Sequence, residues 1–396
     1  MNIAVVGGAG HVGLPLAAML ASVGHHVRAI DTDTERIRSI QGGRSPFYEP
    51  GLDNILARVL ADATLTLHTD LTATEKCDVV FVVVGTDLSD DHVPQNETVF
   101  GVIRQLRDVV STSTVVVLRS TVMPGTTATT AEMLHGRVEE VAFCPERIAE
   151  GRAVEELQTM PQLIGTRSGQ PSAVLSQLFA SLGVESIWMT WKEAELGKLM
   201  LNSWRYTQFA VANEFRKICE FQDVSFRRVR DAILDQYPRG QGLMGPGFAG
   251  GPCLKKDTLQ LLSGINGKSE LLEAVLESHR SMTDEVVKEV VSRIRKHEMV
   301  VVQLGLTFKP GSDDLRGSVA LELAIELTKH CKKFLVVDPH VESHPDLTIV
   351  SLDAALARAD LVVLGTRHPE FVDLQIGVPC IDMGGFRLFN ESGRVE

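Results

Sequence analysis

Short apolar runs and a glycine-rich turn alternate at the start of the chain. Residues 2–6 are mostly apolar, four glycines follow within residues 7–13, and an apolar helical pattern extends over residues 14–23. A second apolar run, His26–Ile30, is followed by Asp31. A strand, a glycine turn, a helix and a second strand in this order predict a βαβ unit, the repeating element of a doubly wound α/β fold.

The glycine turn has the spacing of a dinucleotide-binding fingerprint. In that fingerprint the glycines let the backbone approach a pyrophosphate, and an acid after the second strand accepts a hydrogen bond from the ribose 2′-hydroxyl. Asp31 stands at the acidic position and would repel a 2′-phosphate, which favours NAD over NADP, although Arg36 could receive that phosphate. The turn residues expected at the cofactor are Gly8, Gly10, His11, Val12 and Gly13.

Two further apolar runs, Val79–Val84 and Thr114–Leu118, are nearly continuous, which is typical of parallel strands covered on both faces. A polar turn follows each run, and the carboxyl ends of parallel strands form the ligand crevice of an open α/β sheet. The alternative for such residues is an ordinary turn or capping role. The residues expected to line the crevice are Gly85, Thr86, Ser120 and Thr121.

The second half of the chain predicts a helical centre and another α/β unit. A long helix is predicted from Glu193 to about Lys217, and residues 220–285 continue mostly helical around one glycine-rich loop. The predicted strands beyond it are Met299–Leu304, Phe334–Val337 and Leu361–Leu364, and the predicted helix is Val319–Cys331.

We therefore expect an α/β protein with two Rossmann-like doubly wound domains joined by a central helical domain. The predicted domains are an NAD-binding one at residues 1–190, a helical one with a long helix at residues 191–290, and a second, smaller Rossmann-like one at residues 291–396. Two nucleotide-type folds on either side of a helical centre indicate two nucleotide-bearing ligands.

The composition limits the classes of partner. A formal net charge of −12 argues against nucleic acid or an anionic membrane as the main partner. The six cysteines are scattered without a CxxC pair, which indicates reduced thiols rather than a disulfide framework or a metal site. Because the chain enters a strand at residue 2 and lacks a membrane-length apolar run, we expect a soluble cytoplasmic protein without a targeting peptide.

Cys253 follows a glycine- and proline-rich stretch, residues 245–252, which excludes a regular helix or a central strand there. Lys255 and Lys256 favour the thiolate, and Asp257 is a candidate base. An arbitrary loop cysteine is more often structural. A thiol in this setting, in a chain that binds NAD, instead indicates oxidation at the aldehyde level.

Lys198 and Asn202 are four residues apart on the predicted long helix and therefore share a face. A lysine and a carboxamide on one face can stabilise a developing alkoxide or oxyanion. The alternative is a solvated polar stripe on the helix surface.

Three stretches carry a resemblance to a known family. They are Glu195-Leu196-x-Lys198-Leu199-x-x-Asn202, the loop from Gly247-Phe248 to Cys253-x-x-Lys256-Asp257, and Ser45-Pro46-Phe47-Tyr48-Glu49-Pro50-Gly51-Leu52. Together they resemble the UDP-glucose/GDP-mannose dehydrogenase family of nucleotide-sugar 6-dehydrogenases, over nearly the whole chain. The resemblance implies an NAD-dependent, four-electron oxidation of a sugar C6 hydroxyl to a carboxylate, through a thiohemiacetal and then a thioester on Cys253.

The resemblance also implies roles for individual residues, each of which has a capping, turn or surface ion-pair role as its alternative. The catalytic set it implies is Cys253, Lys198, Asn202, Asp257, Thr121, Glu146 and Glu150. Further cofactor contacts are Lys256 and Arg316. Substrate contacts are Ile148, Glu150, Lys198, Asn202, Arg205, Arg239, Gly247, Phe308 and Lys309. Because Arg239 resembles an arginine supplied by a neighbouring subunit, we expect a homodimer or a higher homo-oligomer.

The chain departs from the family pattern at two turns. Asp87 replaces a proline after the fourth strand, and the cysteine loop is one residue longer and has Pro252 before the cysteine. The resemblance favours a UDP-N-acetylhexosamine, notably UDP-N-acetylmannosamine, or UDP-glucose about equally, with GDP-mannose third. Arg205 distinguishes the first two, since a guanidinium there suits an N-acetyl carbonyl.

Two other functions fit parts of the sequence. A two-electron 3-hydroxyacid-type dehydrogenase also pairs a Rossmann domain with a helix bearing lysine and asparagine, but it needs no cysteine and ends in helices. A non-catalytic nucleotide-sugar sensor would not need the full catalytic set.

Overall fold

The computed structural model describes residues 1–86, 88–89, 93–296 and 298–382. Its backbone contacts group into two compact units. The first comprises Met1–Leu201 and Leu259–Gly267, and the second comprises Asn202–Thr258 and the described residues from Lys268 onward. The division into three domains at residues 190 and 290 stays a prediction. None of the described helices combines the length and apolarity that a membrane crossing requires.

The first unit contains an eight-stranded sheet in the order β3-β2-β1-β4-β5-β6-β7-β8. Neighbouring strands are parallel except at the antiparallel β6–β7 pair. The strands are β1 Asn2–Val6, β2 His26–Ile30, β3 Leu65–His68, β4 Val79–Val82, β5 Val115–Leu118, β6 Glu140–Phe143, β7 Gln162–Thr166 and β8 Ser186–Thr190. The four strands predicted in this region are confirmed. The order reverses between β1 and β4, which is where open α/β sheets bind ligands.

Helices cover both faces of this sheet. Alternate residues of β1 point into opposite cores, with Ile3 and Val5 in one and Ala4 and Val6 in the other, so each strand must be apolar throughout. The helices are α1 Gly13–Ser22, α2 Thr34–Gln41, α3 Leu52–Ala61, α4 Glu97–Leu106, α5 Thr126–Met133, α6 Ala153–Thr159 and α7 Ala173–Ser181, with a 3₁₀ helix at Leu71–Thr74.

The central part of the chain is helical, as predicted. Its long helix extends beyond the predicted ends at both termini and has 31 residues. The helices are α8 Trp191–Phe221, α9 Phe226–Leu234, α10 Leu254–Ser263 and α11 Glu270–Arg293, with a 3₁₀ helix at Pro238–Gly240. Both α8 and α10 belong in part to each unit, because the unit boundaries fall within them.

The second unit contains a fully parallel four-stranded sheet in the order β10-β9-β11-β12, with apolar cores on both faces. Its elements are β9 Val300–Leu304, α12 Val319–Thr328, β10 Lys333–Val337, α13 Leu352–Leu356, β11 Leu361–Leu364 and β12 Cys380–Asp382, with a 3₁₀ helix at Pro369–Phe371. The three predicted strands and the helix are confirmed, and the α/β fold class with them. The sequence missed α13 and β12 because such short elements show no clear periodicity.

Candidate active site

The dinucleotide turn has the shape that a pyrophosphate needs. A Cβ atom on Gly8 would lie 2.7 Å from the Ala29 Cβ, and one on Gly13 would lie 2.1 Å from the Gly7 carbonyl oxygen. Glycine at these two positions therefore lets α1 start directly against β1 and β2. A Cβ atom on Gly10 would have its nearest neighbour, the Gly7 carbonyl oxygen, 3.5 Å away. The backbone is therefore open at the position where this Cβ would lie. The first amide groups of α1 suit an anion, since Val12 at the N-cap has no side-chain oxygen to cap them.

Asp31, the residue expected at the ribose of NAD, is held in place by two backbone amides. Its two carboxylate oxygens accept hydrogen bonds from the amides of Ala9 and Asp33, both at 3.0 Å. Arg36 is the residue that could receive the 2′-phosphate of NADP. Its Nε lies 3.3 Å from the Asp33 carboxylate. The cradle and its fixed acid fit a dinucleotide with a free 2′-hydroxyl. When bound, NAD supplies a hydride acceptor.

The polar residues after β4 and β5 bond to one another. The Ser120 hydroxyl donates to the Val84 carbonyl at 2.6 Å, and the Thr86 hydroxyl donates to the Thr121 carbonyl at 2.6 Å. The hydroxyl groups of Ser120 and Thr86 therefore stabilise these turns, as the turn-or-capping alternative expected. Their oxygen atoms can still accept hydrogen bonds from a ligand. Gly85 is exposed beside them, and Thr121 is half-buried. Asp87, the departure from the family pattern, lies outside the described residues.

Glu146 forms a buried ion pair with Arg119, a partner that the sequence did not suggest. The Arg119 side chain is fully buried, and its Nη2 lies 2.5 Å from the Glu146 Oε2. Burial alone would lower the pKa of Arg119, but the Glu146 charge raises that pKa overall. The other Glu146 oxygen accepts from the amides of Arg147 and Ile148 at 2.7 and 2.9 Å. Glu146 therefore anchors its turn, whereas Glu150 is a half-buried residue further along.

Lys198 and Asn202 are buried on α8, at 7% and 5% exposure, so the surface-stripe alternative is wrong. Glu195, one turn before, is also buried and acts as the cap of α5. Its carboxylate accepts from the amides of Gly125 and Thr127 at 2.7 and 2.8 Å and from the Thr127 hydroxyl. These bonds tie the first turns of α8 to the start of α5.

Cys253 directly precedes α10, where partial positive charge favours a thiolate. All six cysteines lie in the described part of the chain, and Cys253 is the one classed as exposed. Burial raises the pKa of Cys144 and Cys331 to about 11 and that of Cys380 to about 12, so these remain thiols at neutral pH. Cys253 is therefore the cysteine of the described residues that is most open to a reagent or a substrate.

Asp257 and Asn202 form a buried pair. The Asn202 Nδ2 donates to the Asp257 Oδ2 at 2.6 Å, and Asp257 is 1% exposed. Asp257 lies one turn after Cys253, and its amide donates to the Cys253 carbonyl at 2.8 Å. Two of the residues that the resemblance placed in the catalytic set are thus in direct contact, one turn from the cysteine that precedes the helix.

The glycine loop before Cys253 depends on close packing. Gly251 has φ +98°, and a Cβ atom there would lie 2.5 Å from the Phe308 ring. The Asn213 side chain holds Gly247 at both its amide (2.8 Å) and its carbonyl (3.1 Å). Phe308 and Gly247, both expected at the substrate, therefore shape the loop that carries the thiol.

The remaining predicted residues are more exposed. The Arg316 guanidinium is paired with Asp314 at 2.6 Å, and the Lys309 ammonium lies 5.3 Å from the centre of the Phe308 ring. Arg205 is exposed on α8, and Arg239 is exposed with its guanidinium 5.2 Å from the Tyr237 ring centre. Lys256 is half-buried on α10.

A buried histidine, His279, stacks on a tyrosine that packs against residues near the cysteine loop. The His279 ring stacks on the Tyr206 ring with the ring centres 3.8 Å apart, and Tyr206 belongs to a hydrophobic cluster with Ala249 and Leu254, which lie on either side of Cys253. Burial lowers the pKa of His279 from 6.5 to about 4.

We expect the free energy of unfolding to fall as the pH drops from about 6.5 to about 4. The unfolded chain takes up a proton on His279 in this window and the folded chain does not, which costs up to about 3 kcal/mol. Urea unfolding at a series of pH values measures this slope. His279→Gln should flatten it, and His330→Gln, an exposed control, should not. Equal slopes in wild type and His279→Gln would contradict the assignment.

Comparison with known proteins matches all three parts of one family. The UDP-glucose/GDP-mannose dehydrogenase family matches with its NAD binding domain over residues 1–183, its central domain over residues 192–281 and its UDP binding domain over residues 302–380.

Similar proteins act on different sugars. The chain is 31% identical to the UDP-N-acetyl-D-mannosamine dehydrogenase of Pyrococcus horikoshii, over 94% of this chain and 90% of the relative. It is also 31% identical to the GDP-mannose 6-dehydrogenase of Pseudomonas putida, over 98% of this chain and 96% of the relative. The structure of a UDP-glucose dehydrogenase from Pyrobaculum islandicum superposes with a TM-score of 0.87 at 27% identity, over 98% of this chain and 95% of that one.

These matches decide between the functions left open by the sequence. The 3-hydroxyacid-type alternative is wrong, because the C-terminal part is a parallel sheet that matches a UDP binding domain. The sensor alternative is wrong as well, since the relatives are dehydrogenases and the cysteine, lysine and asparagine of the family motifs are present. The chain belongs to the UDP-glucose/GDP-mannose dehydrogenase family and is an NAD-dependent nucleotide-sugar dehydrogenase.

Proposed function

We propose that the chain oxidises the C6 hydroxyl of a UDP-sugar to a carboxylate in two NAD-dependent steps, with Cys253 as the nucleophile. The observation that carries the proposal is the exposed Cys253 thiol at the start of α10, one turn from the buried Asp257–Asn202 pair. A two-electron oxidation of an alcohol needs no thiol. A thiol beside charge-stabilising groups is what oxidation of an aldehyde needs.

In the first step the C6 hydroxyl loses a proton and a hydride and becomes an aldehyde. Lys198 and Asn202 stabilise the negative charge that develops on the oxygen, and their burial strengthens this effect. The Cys253 thiolate then attacks C6, an S–C bond forms, and the aldehyde oxygen takes up a proton to give a thiohemiacetal. Loss of the second hydride and a proton leaves a thioester.

Hydrolysis completes the reaction. Water adds to the thioester carbonyl, the S–C bond breaks, and Cys253 leaves as a thiolate. The sum is one alcohol, two NAD⁺ and one water giving one carboxylate, two NADH and three protons. We assign Glu150 as the base toward this water, with Thr121 orienting it, since Glu146 is held by Arg119 and two amides. Asp257 orients Asn202 through their hydrogen bond.

The sugar is proposed to be a UDP-N-acetylhexosamine or UDP-glucose. The UDP binding domain match supports the nucleotide. The exposed Arg205 guanidinium, one turn beyond Asn202 on α8, supports an N-acetyl group through a hydrogen bond to its carbonyl. Relatives at 31% identity act on UDP- and GDP-sugars alike, so overall identity does not select among them.

We also propose a homo-oligomer, with Arg239 reaching the substrate of a neighbouring subunit. In the second unit, α8 exposes an apolar stripe of Trp204, Phe215, Ile218 and Phe221, at 58, 46, 59 and 87% exposure. The spacing of these residues places them near one helix face, and a patch of this kind marks a protein interface. Sedimentation equilibrium tests this part of the proposal, and a monomer at micromolar concentration would refute it.

The substrate test is a panel of UDP- and GDP-sugars incubated with NAD, with products identified by mass. We expect a uronate from a UDP-sugar and two NADH per sugar. One NADH per sugar with an aldehyde or ketone as the product would refute the four-electron reaction.

A further inference from the structure

Residues 45–51 form a well-bonded segment next to the dinucleotide turn. The Ser45 amide donates to the Asp53 carboxylate at 2.8 Å, and the Ser45 hydroxyl donates to the Phe47 carbonyl at 2.7 Å. The Phe47 ring, 9% exposed, stacks on the His11 imidazole with the ring centres 4.1 Å apart. The segment is thereby fixed to the turn that fits the pyrophosphate.

The same segment reaches a second element through Glu49. This carboxylate is 8% exposed and accepts from the amide of Gly151 at 2.8 Å and, more weakly, from that of Val154 at 3.4 Å. Gly151 has φ +80° and directly follows Glu150. A bond to its amide therefore fixes the backbone at the carboxyl side of Glu150.

The amino side of this loop is fixed independently. Glu146 is paired with Arg119 and accepts from two amides of its own turn. The Glu150 loop, residues 146–151, is thus held at both ends by buried carboxylates, and Glu150 lies between the two anchors. The Arg119 anchor connects the loop to the end of β5, whereas the Glu49 anchor connects it to the dinucleotide turn.

We infer that Glu49 is a positioning residue: it holds the Glu150 loop in its working geometry and links this loop to the dinucleotide turn through Phe47 and His11. The inference rests on the proposed role of Glu150 in thioester hydrolysis. Displacement of a catalytic group by about 1 Å costs on the order of 100-fold in rate, so loss of the anchor should slow hydrolysis more than hydride transfer.

Rapid quench with intact-mass analysis follows the substrate bound to Cys253. Glu49→Met keeps the side-chain volume without an acceptor, and we expect its thioester to accumulate because hydrolysis is about 10- to 100-fold slower. Glu49→Gln keeps one side-chain acceptor for the Gly151 amide, and we expect its hydrolysis rate to stay within a few-fold of wild type. If Glu49 acted through packing alone, the Gln and Met variants would hydrolyse the thioester at the same rate. Glu155→Gln, an exposed carboxylate on α6, is the matched control with wild-type rates. Wild-type hydrolysis in Glu49→Met would overturn the inference.

Hydrogen exchange tests the same inference without turnover. We expect faster exchange at the Gly151 amide in Glu49→Met and no change in Glu155→Gln. NAD should slow exchange over residues 147–154 in wild type, and Phe47→Leu should remove this effect. Unchanged Gly151 exchange in Glu49→Met refutes the anchor, and a retained NAD effect in Phe47→Leu refutes the link. A wild-type enzyme that forms no uronate would refute the proposed function and leave this exchange test intact.

Discussion

Cys253→Ala is expected to abolish formation of the uronate, with a loss of about 10⁴-fold or more. The change removes the atom that would form the S–C bond, and removal of a catalytic nucleophile costs effects of this size in other enzymes. Uronate released per minute, measured by mass, is the readout. NAD binding should be unchanged, because Cys253 is not among the residues expected to contact the cofactor.

Two controls sharpen this expectation. Cys219→Ala, at a half-buried thiol on α8, should retain wild-type turnover. Iodoacetamide at neutral pH should modify Cys253 before the thiols whose pKa is raised by burial, and inactivation should follow the extent of modification. Uronate formation at the wild-type rate in Cys253→Ala would contradict the covalent mechanism.

Arg119→Met is expected to lower the free energy of unfolding by about 3–5 kcal/mol. It leaves the Glu146 carboxylate buried without its cation, and a broken buried ion pair costs energies of this order. Urea unfolding of the purified variant is the measurement. Uronate formation should fall as well, because Glu146 anchors the loop that carries Glu150.

The matched control is Arg152→Met, which removes an exposed arginine 3.1 Å from Glu155 and should leave the free energy of unfolding nearly unchanged, because solvent screens an exposed ion pair. Arg119→Met combined with Glu146→Gln should recover part of the loss, since no charge then stays buried and unpaired. A double variant less stable than Arg119→Met alone would contradict the ion pair as the cause.

The local motifs follow from the sequence because they depend on backbone geometry near one residue. Gly8 and Gly13 are needed where α1 starts against the sheet, and Asp31 directly follows β2, so spacing alone predicted a dinucleotide-binding turn here. Continuous apolar runs located the strands for a similar reason, since both faces of each sheet are buried. Exposure of Cys253 also agrees with the glycine-rich loop that the sequence shows.

Only the tertiary structure decided what each charged side chain touches. Arg119 and Glu146, Glu49 and Gly151, and Asn202 and Asp257 are far apart in sequence, and no periodicity connects them. Burial of Lys198 was likewise hidden, because a lysine on a helix is usually solvated. The sequence by itself determined most of the elements and the cofactor, and it named Cys253 as the candidate nucleophile, since each of these signals lies within a few consecutive residues. The partners of the carboxylates were decided by the fold, because a buried charge takes its counterpart from whichever element packs against it.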